Sequence, residues 1–472
     1  MLLSLEEVAA VLGVPCGVPE RKAVGYSIDT RTLAPGELFF AIRGPKFDGH
    51  QFVPQAFERG AVAAVVEERF RAGRTEDWAQ ALIPVGNTTE ALQRLALGVR
   101  RKWGRRLVAI TGSTGKTTTK ELIAAVLARR LAVLKSPGNL NNDFGLPLAL
   151  LALTLEHDVA VMELAMSAPG EIARLARIAE PQVGVVTNVA PVHLEFFASV
   201  DAIGQAKREL VENLSSQGGG STAVLNQDDA RVRAFAAGFA GHVVTFGLGE
   251  GADFQGWELQ TAPGNGTLFR VKGPWFDGEF FLPLPGRHNV LNGLAAIAVS
   301  SLFGLPLGDM QRALAEFRTL PQRSEILTLS GGVTVINDCY NSNPVAMESM
   351  LDTLGTWPAA RRIVVAGEMR ELGSTSPDWH RDVGRKCARS RVDWLLAVQG
   401  DARFFLEGAV EAGMRATQTK FFEAPQEAGE FCRTLLRPAD VVLVKGSRAV
   451  GLEKVIQLLR SNLENSSRRR VE

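Results

Sequence analysis

One octapeptide constrains this chain more than any other part of it. Thr111-Gly112-Ser113-Thr114-Gly115-Lys116-Thr117-Thr118 stands between the apolar run Leu107–Ile110 and a helix-patterned stretch, Lys116–Arg130. Glycines at these positions let backbone N–H groups turn inward around phosphate oxygens, and the helix N-terminus adds its dipole. Lys116 then reaches the β- and γ-phosphates, and the Thr117 hydroxyl is a Mg²⁺ ligand. The general phosphate-loop pattern Gly-x-x-x-x-Gly-Lys-[Ser/Thr] has glycine where this chain has Ile110, and no Asn-Lys-x-Asp guanine reader occurs. ATP is therefore the expected nucleotide, held by Gly112, Ser113, Thr114, Gly115, Lys116, Thr117 and Thr118.

Such a loop sits on a sheet, and the chain repeats the strand–turn–helix pattern. Strand-like Val159–Met162 precedes a helical Glu171–Ala179, and strand-like Val183–Thr187 follows. This alternation predicts a mostly parallel sheet covered by helices. From about residue 320 a second series begins, with strands at Val333–Ile336, Arg362–Ala366, Trp394–Val398 and Val441–Val444. It reads as Rossmann-like, but no Gly-x-Gly-x-x-Gly turn follows its first strand, which argues against a dinucleotide. Residues 1–84 form a small α/β unit. In it, strand Glu37–Ile42 lies between Pro35-Gly36 and Gly44-Pro45, and helical Phe52–Arg59 leads into buried strand Ala61–Val66. At roughly 150 residues per domain, the 472 residues suit three α/β domains, 1–84, 85–319 and 320–472. Residues 216–220 and 261–274 read as turns or an inserted hairpin, and Pro283–Pro285 precedes a helical Asn289–Phe303. The tail with Arg468-Arg469-Arg470 reads as a frayed, solvated end.

Charge and cysteines exclude several classes. Lys and Arg total 52 against 51 Asp and Glu, so no global field draws in nucleic acid. The four cysteines, Cys16, Cys339, Cys387 and Cys432, are scattered, which argues against disulfide or zinc scaffolds. Glu6 and Glu7 interrupt the N-terminal apolar stretch, unlike a signal peptide. No apolar run reaches the ~18 residues of a membrane span. The expectation is a cytoplasmic enzyme.

Further candidates cluster after the strands of the middle region. Glu163 ends the run Val159–Met162, where a carboxylate can hold Mg²⁺. His193 and Glu195 follow the next strand; alone, a histidine there reads as readily as a packed loop residue. Lys207 reads by default as a solvated helix charge. Asn139, Asn141 and Asn142 form an amide-dense loop able to face a polar ligand.

Assembled, these segments resemble the Mur ligase family of peptidoglycan synthesis over essentially the whole chain. The resemblance rests on Ser27-Ile-Asp-Thr-Arg31, Pro35–Ile42, Lys46-Phe-Asp-Gly-His50, the Thr111–Thr118 loop, Gly138–Pro147, Met162-Glu163, Val192-His-Leu-Glu195, Ala206-Lys207 and His288-Asn-Val-Leu-Asn292. Asn337-Asp-Cys-Tyr-Asn-Ser-Asn-Pro344, Gly367-Glu-Met-Arg-Glu-Leu-Gly373, His380 and Val444-Lys-Gly-Ser-Arg448 resemble the dipeptide-adding members. Departures are Ala165-Met166-Ser167 for a usual Gly-Ala-Arg, Asn337 for a frequent aspartate and Ser342 for a frequent alanine.

The resemblance implies an ATP-dependent ligase that acts as a monomer, joining D-alanyl-D-alanine to UDP-N-acetylmuramoyl-tripeptide through an acyl phosphate. It implies Lys116, His193 and Lys207 as catalytic, and two Mg²⁺ ions. Thr117 and Glu163 would hold one; His193 and a carbamylated Lys207 would hold the other. Asn292, with His288 nearby, would read adenine, Arg323 would meet the γ-phosphate and Asp338 the nucleotide. Ser27, Asp29, Arg31, Lys46 and His50 would take the uridine diphosphate end, and Asn141 and Asn142 would also meet substrate. Asn341, Asn343 and Lys445 would take the dipeptide, with the Lys445-Gly446-Ser447 turn opening a helix Ala449–Arg460. The competing readings are a different Mur ligase, a folylpolyglutamate synthase, which needs no Ser-x-Asp-Thr-Arg domain, and a nucleotide-binding switch or scaffold, which leaves Glu163, His193 and Lys207 unexplained.

Overall fold

A computed structural model describes residues 1–44, 46–72, 75–215, 220–262 and 266–461. Pro45 of the first turn, most of the 216–220 turn and the arginine tail lie outside them.

Three sheets follow one another along the chain. The first is a parallel sheet of β1 (Tyr26–Ser27), β2 (Leu38–Phe40), β3 (Ala63–Glu67) and β4 (Leu82–Val85) in that order. The second has nine strands: β5 (Arg106–Thr111), β6 (Val133–Lys135), β7 (Val159–Glu163), β8 (Val183–Val186), β9 (Thr222–Asn226), β10 (His242–Gly247), β11 (Phe254–Ala262), β12 (Gly266–Lys272) and β13 (Asp277–Leu282). Their order is β13-β12-β11-β10-β9-β8-β5-β7-β6. It is parallel from β6 to β11 and closes with two antiparallel pairs. Residues 261–262 and 266–272 thus belong to the antiparallel strands β11 and β12 near the sheet's edge.

The third sheet comprises β14 (Glu325–Thr328), β15 (Thr334–Asn337), β16 (Arg361–Gly367), β17 (Trp394–Val398), β18 (Thr419–Phe422) and β19 (Asp440–Lys445), ordered β14-β15-β19-β16-β17-β18. Only β14 runs antiparallel. Strand β19 returns between β15 and β16, so connections leave adjacent strands toward opposite faces. Helices Pro344–Thr356, Ser376–Arg389 and Arg403–Glu411 cover one face, and Pro425–Leu435 and Glu453–Arg460 the other.

The apolar runs are buried as their composition demands: every residue of β5 after Arg106, and all of β7, β8, β9 and β19, is buried. Helix Thr88–Trp103 ties the first two units together. Its Leu92, Leu95 and Val99 sit in one continuous core with Phe40, Val65 and Ile83 of the first sheet and Leu107, Ala109 and Met162 of the second. Nonpolar burial of this extent, at about 25 cal/mol per Å², joins the two units into one packed body.

One sequence expectation fails at the last helix. After Lys445 a short 3₁₀ turn, Arg448–Val450, is stopped by Gly451 at φ 75°, and the α-helix starts only at Glu453. The Lys445-Gly446-Ser447 turn therefore does not open that helix.

Candidate active site

The phosphate loop leaves β5 and enters helix Lys116–Leu127. Two glycines make its shape. A Cβ on Gly112 (φ 149°) would stand 1.8 Å from the Thr187 hydroxyl, and one on Gly115 (φ 79°) 2.4 Å from Asn292 Oδ1. The loop is pinned from outside by Asn188. Its Oδ1 accepts from the Thr114 N–H at 2.9 Å, and its Nδ2 donates to Thr114 Oγ1 at 2.8 Å. Lys116 folds back and donates to the Gly112 and Ser113 carbonyls at 2.7 and 3.3 Å. Burial holds its pKa below the usual lysine value; Glu163 opposes that shift and Arg323 adds to it.

Beside the loop, Glu163 at the end of β7 receives two hydrogen bonds. Thr117 Oγ1 donates to Oε2 at 2.8 Å and Asn141 Nδ2 to Oε1 at 2.9 Å. Fully buried Lys120 lies 4.0 Å from the same carboxylate and donates to Ser136 O at 2.7 Å. A hydroxyl and a carboxylate meeting in this way are hard oxygen donors suited to Mg²⁺. Among the described residues no three His, Cys, Asp or Glu gather in one place. Such an ion would therefore rely on phosphate and water oxygens for its remaining ligands, as Mg²⁺ commonly does.

His193 has φ 57° and faces a residue in the same left-handed region, Glu371 (φ 65°) of the third domain. Nδ1 and Oε2 are 2.5 Å apart, an ion-pair contact off the line of a hydrogen bond. The contact holds the Glu371 carboxyl below its ordinary value. Lys207 lies on helix Val200–Glu212 and is 2% exposed, not solvated as its default reading has it. Glu209 is spent on the Gly170 and Ala173 N–H groups and Glu212 on Arg208. Lys207 has no ion pair or hydrogen bond among the described residues. Desolvation, and secondly Lys116, push its amine well below the usual lysine range.

The phosphate loop, Asn141, Glu163 and His193 line a cavity of about 310 Å³ together with His288, Asn292, Arg323, Asp338, Asn341, Asn343 and Lys445. The cavity thus spans the second and third domains. His288 is pushed down to about 4 by burial, and its Nδ1 is buried without a partner. Asn292 accepts from Thr119 Oγ1 at 3.1 Å. Asp338 accepts from the Ser324 N–H at 2.8 Å and pairs with Lys445 Nζ at 2.5 Å. Lys445 also donates to Asn341 O at 2.9 Å, so its ammonium is committed within the domain. Asn343 caps helix Pro344–Thr356 through the Ala346 N–H.

Other expected residues lie apart. Asn142 is used locally, accepting from the Gly145 N–H. Ser27, Asp29, Arg31, Lys46 and His50 belong to the first domain and do not line this cavity. Asp29 and Arg31 pair with each other at 2.6 Å. Both ring nitrogens of His50 are engaged, Nδ1 by Asp48 and Nε2 by the Glu67 N–H. Missed from the sequence were Lys120 and Asn188; Tyr340, beside Asp338, could be read from sequence as readily as a packed residue. Tyr340 lies between two guanidiniums, Arg323 at 4.0 Å and Arg448 at 5.0 Å from its ring centre.

A Gly-Lys-Thr loop on a parallel sheet, with a carboxylate against its threonine, defines a phosphate-loop α/β protein. Family models match its parts in order: "Mur ligase family, catalytic domain" at residues 22–100, "Mur ligase middle domain" at 110–300 and "Mur ligase, glutamate ligase domain" at 322–448. A UDP-N-acetylmuramoyl-tripeptide--D-alanyl-D-alanine ligase of Synechocystis sp. is 40% identical over 438 residues, 92% of this chain and 91% of that protein. A crystal structure of MurF from Acinetobacter baumannii superposes with a TM-score of 0.88 at 31% identity, covering 97% and 99% of the two chains. A MurF ligase from Thermotoga maritima in complex with ADP gives 0.82 at 28% identity, covering 94% and 98%. The chain belongs to the Mur ligase family. Among the described residues no helix is long and apolar enough to cross a membrane.

Proposed function

We propose that this chain is the ATP-dependent ligase that joins D-alanyl-D-alanine to UDP-N-acetylmuramoyl-tripeptide. The observation that carries the reading is the single cavity in which the phosphate loop, the Thr117–Glu163 pair and the third domain's Arg323 and Asp338 meet. The names of the relatives supply the substrates.

A carboxylate is a poor acyl donor because oxide is its leaving group. Transfer of the γ-phosphoryl makes an acyl phosphate. The dipeptide amine then attacks the carbonyl carbon, a C–N bond forms, the C–O bond to phosphate breaks, and the amine sheds its proton. Lys116 leaves its two carbonyls for the phosphates and neutralises charge during transfer. Arg323 approaches the same phosphates from the third domain. Asn292 and His288 flank the adenine, and a neutral His288 imidazole can accept a hydrogen bond there. Thr117 and Glu163 would hold Mg²⁺, with His193 toward a second ion; the metal supplies charge neutralisation and alignment of the phosphoryl group. Burial disfavours the ammonium form of Lys207, and attack on CO₂ requires the free amine. Its nitrogen gains a bond to carbon and loses a proton to solvent, giving an anionic oxygen donor. Ser27, Arg31 and Lys46 of the first domain, outside this cavity, would take the uridine diphosphate end.

The test is phosphate release from ATP. The ligase reading expects release only when both the UDP-muramoyl-tripeptide and D-alanyl-D-alanine are present, with the pentapeptide product identified by mass. Rapid release with nucleotide alone sinks it.

A further inference from the structure

Ligands of doubly wound sheets bind outside the carboxyl ends of the strands, where connections diverge to opposite faces. In the third sheet this point is the crevice above β15, β19 and β16. It is walled by the loops 338–343, 445–448 and 367–373. The last two loops are tied together: the Ser447 N–H donates to Glu368 O at 3.1 Å, and Ser447 Oγ accepts from the Arg370 N–H at 2.9 Å. Gly367 and Gly446 touch back to back, so that a Cβ on Gly446 would lie 2.8 Å from the Gly367 Cα.

Most charges around this crevice cancel within the domain. Asp338 is paired with Lys445, and Glu368 with Arg370 at 3.1 Å. Two are left over. Arg448, exposed, makes no ion pair or side-chain hydrogen bond among the described residues; its guanidinium lies over the ring of Tyr340, a residue that lines the cavity. Glu371 meets His193 of the second domain through Oε2 and leaves Oε1 without a partner among the described residues. Arg448 and the half-free Glu371 flank the crevice, and Glu371 lies on the side of the phosphate loop.

We propose that these two residues clamp the zwitterionic dipeptide: Arg448 receives its carboxylate and Glu371 its ammonium, so that the nitrogen points to the acyl phosphate. The assignment rests on the ligase reading above. It replaces Lys445, whose ammonium is already committed, as the carboxylate receptor. A guanidinium poised over an aromatic ring, 5.0 Å from its centre, keeps its forked donors available to a carboxylate. The Glu371 carboxylate faces the second domain, from which the acyl donor arrives.

The test uses the full-length enzyme, D-alanyl-D-alanine and its C-terminal amide, which lacks the negative charge. Wild type should prefer the free acid. Arg448→Gln should raise the KM for D-alanyl-D-alanine by about tenfold or more, the usual worth of a charge-assisted pair. It should also erase the preference for acid over amide and leave the KM for ATP within about twofold. Glu371→Gln should raise the same KM while keeping the acid preference. Arg448→Lys, which keeps charge without the fork, should fall between. An Arg448→Gln enzyme that still prefers the acid, or whose KM values rise together for all substrates, overturns the proposal. So does a Glu371→Gln enzyme with an unchanged dipeptide KM. A wild type that forms no pentapeptide overturns the ligase reading itself, and the two failures are thereby distinct.

Discussion

Lys116 and Lys207 are two amines held below their usual pKa by burial, and each carries a different consequence. Lys116→Ala should cut kcat by well over tenfold, a loss above about 1.4 kcal/mol in the barrier, while the thermal midpoint stays close to wild type. Retention of a tenth or more of the rate would remove the lysine from phosphoryl transfer. Lys207→Ala should nearly silence turnover, and acetate or formate should restore part of it by filling the vacated oxygen position; an active alanine variant would show the amine dispensable. Lys116, Thr117 and Glu163 were legible in the sequence because a loop between strand and helix, and a carboxylate at the next strand's end, are local patterns. Lys120 and Asn188 were not. Each acts through a partner distant in the chain, as Asn188 does on Thr114, and no spacing rule encodes such a pair. Lys445 shows the converse: its type suggested an anion receptor, but Asp338, 107 residues away, had already claimed it.

At the scale of elements, the β5 loop tolerates no side chain at Gly112. Gly112→Ala must displace Thr187, whose hydroxyl holds Thr114 O at 2.6 Å, at an overpacking cost of about 1–3 kcal/mol. The expected result is a KM for ATP raised by at least about fivefold with the dipeptide KM little changed. The 367–373 loop depends instead on buried His380, whose Nε2 accepts the Met369 N–H at 3.0 Å while Nδ1 meets Ser376 O at 2.7 Å. Burial lowers its pKa from 6.5. The folded protein thus binds this proton less readily than the unfolded chain does. The stability His380 contributes is complete above about 6.5 and is lost as pH falls toward the lowered value. Urea unfolding across this range should show the loss, and His380→Gln should flatten the slope; an equal slope in both proteins would assign it to other groups. Strand and helix positions in this domain followed from the apolar runs of β17 and β19. The true start of the last helix did not, because Gly451 interrupts a stretch that periodicity alone reads as continuous.

For the molecule as a whole, the second and third domains meet where Glu371 and Gly373 touch the His193 loop. A Cβ built on Gly373 falls 3.7 Å from that of Glu195, within the usual disulfide range. Glu195→Cys with Gly373→Cys should therefore crosslink the domains on oxidation. The native Cys339, Cys387 and Cys432 are buried and Cys16 half-buried. Turnover should stop in the oxidised form and return with reductant, while the fold persists by circular dichroism. Full activity in the crosslinked enzyme would mean that the domains need not separate. Three sheets in sequence could be read from the chain, but this meeting of two left-handed residues across a domain boundary could not.

The contact between Gly367 and Gly446 has one more consequence. Loops that breathe can stretch to admit a longer guest, but here the backbones of two neighbouring strand ends already touch, and the sheet fixes the distance between them. The loops that carry Arg448 and Glu371 thus spring from strand ends in contact. On the proposed clamp the crevice would measure ligand length against the strand spacing, and an extra residue would have to bulge outward into the gap between domains.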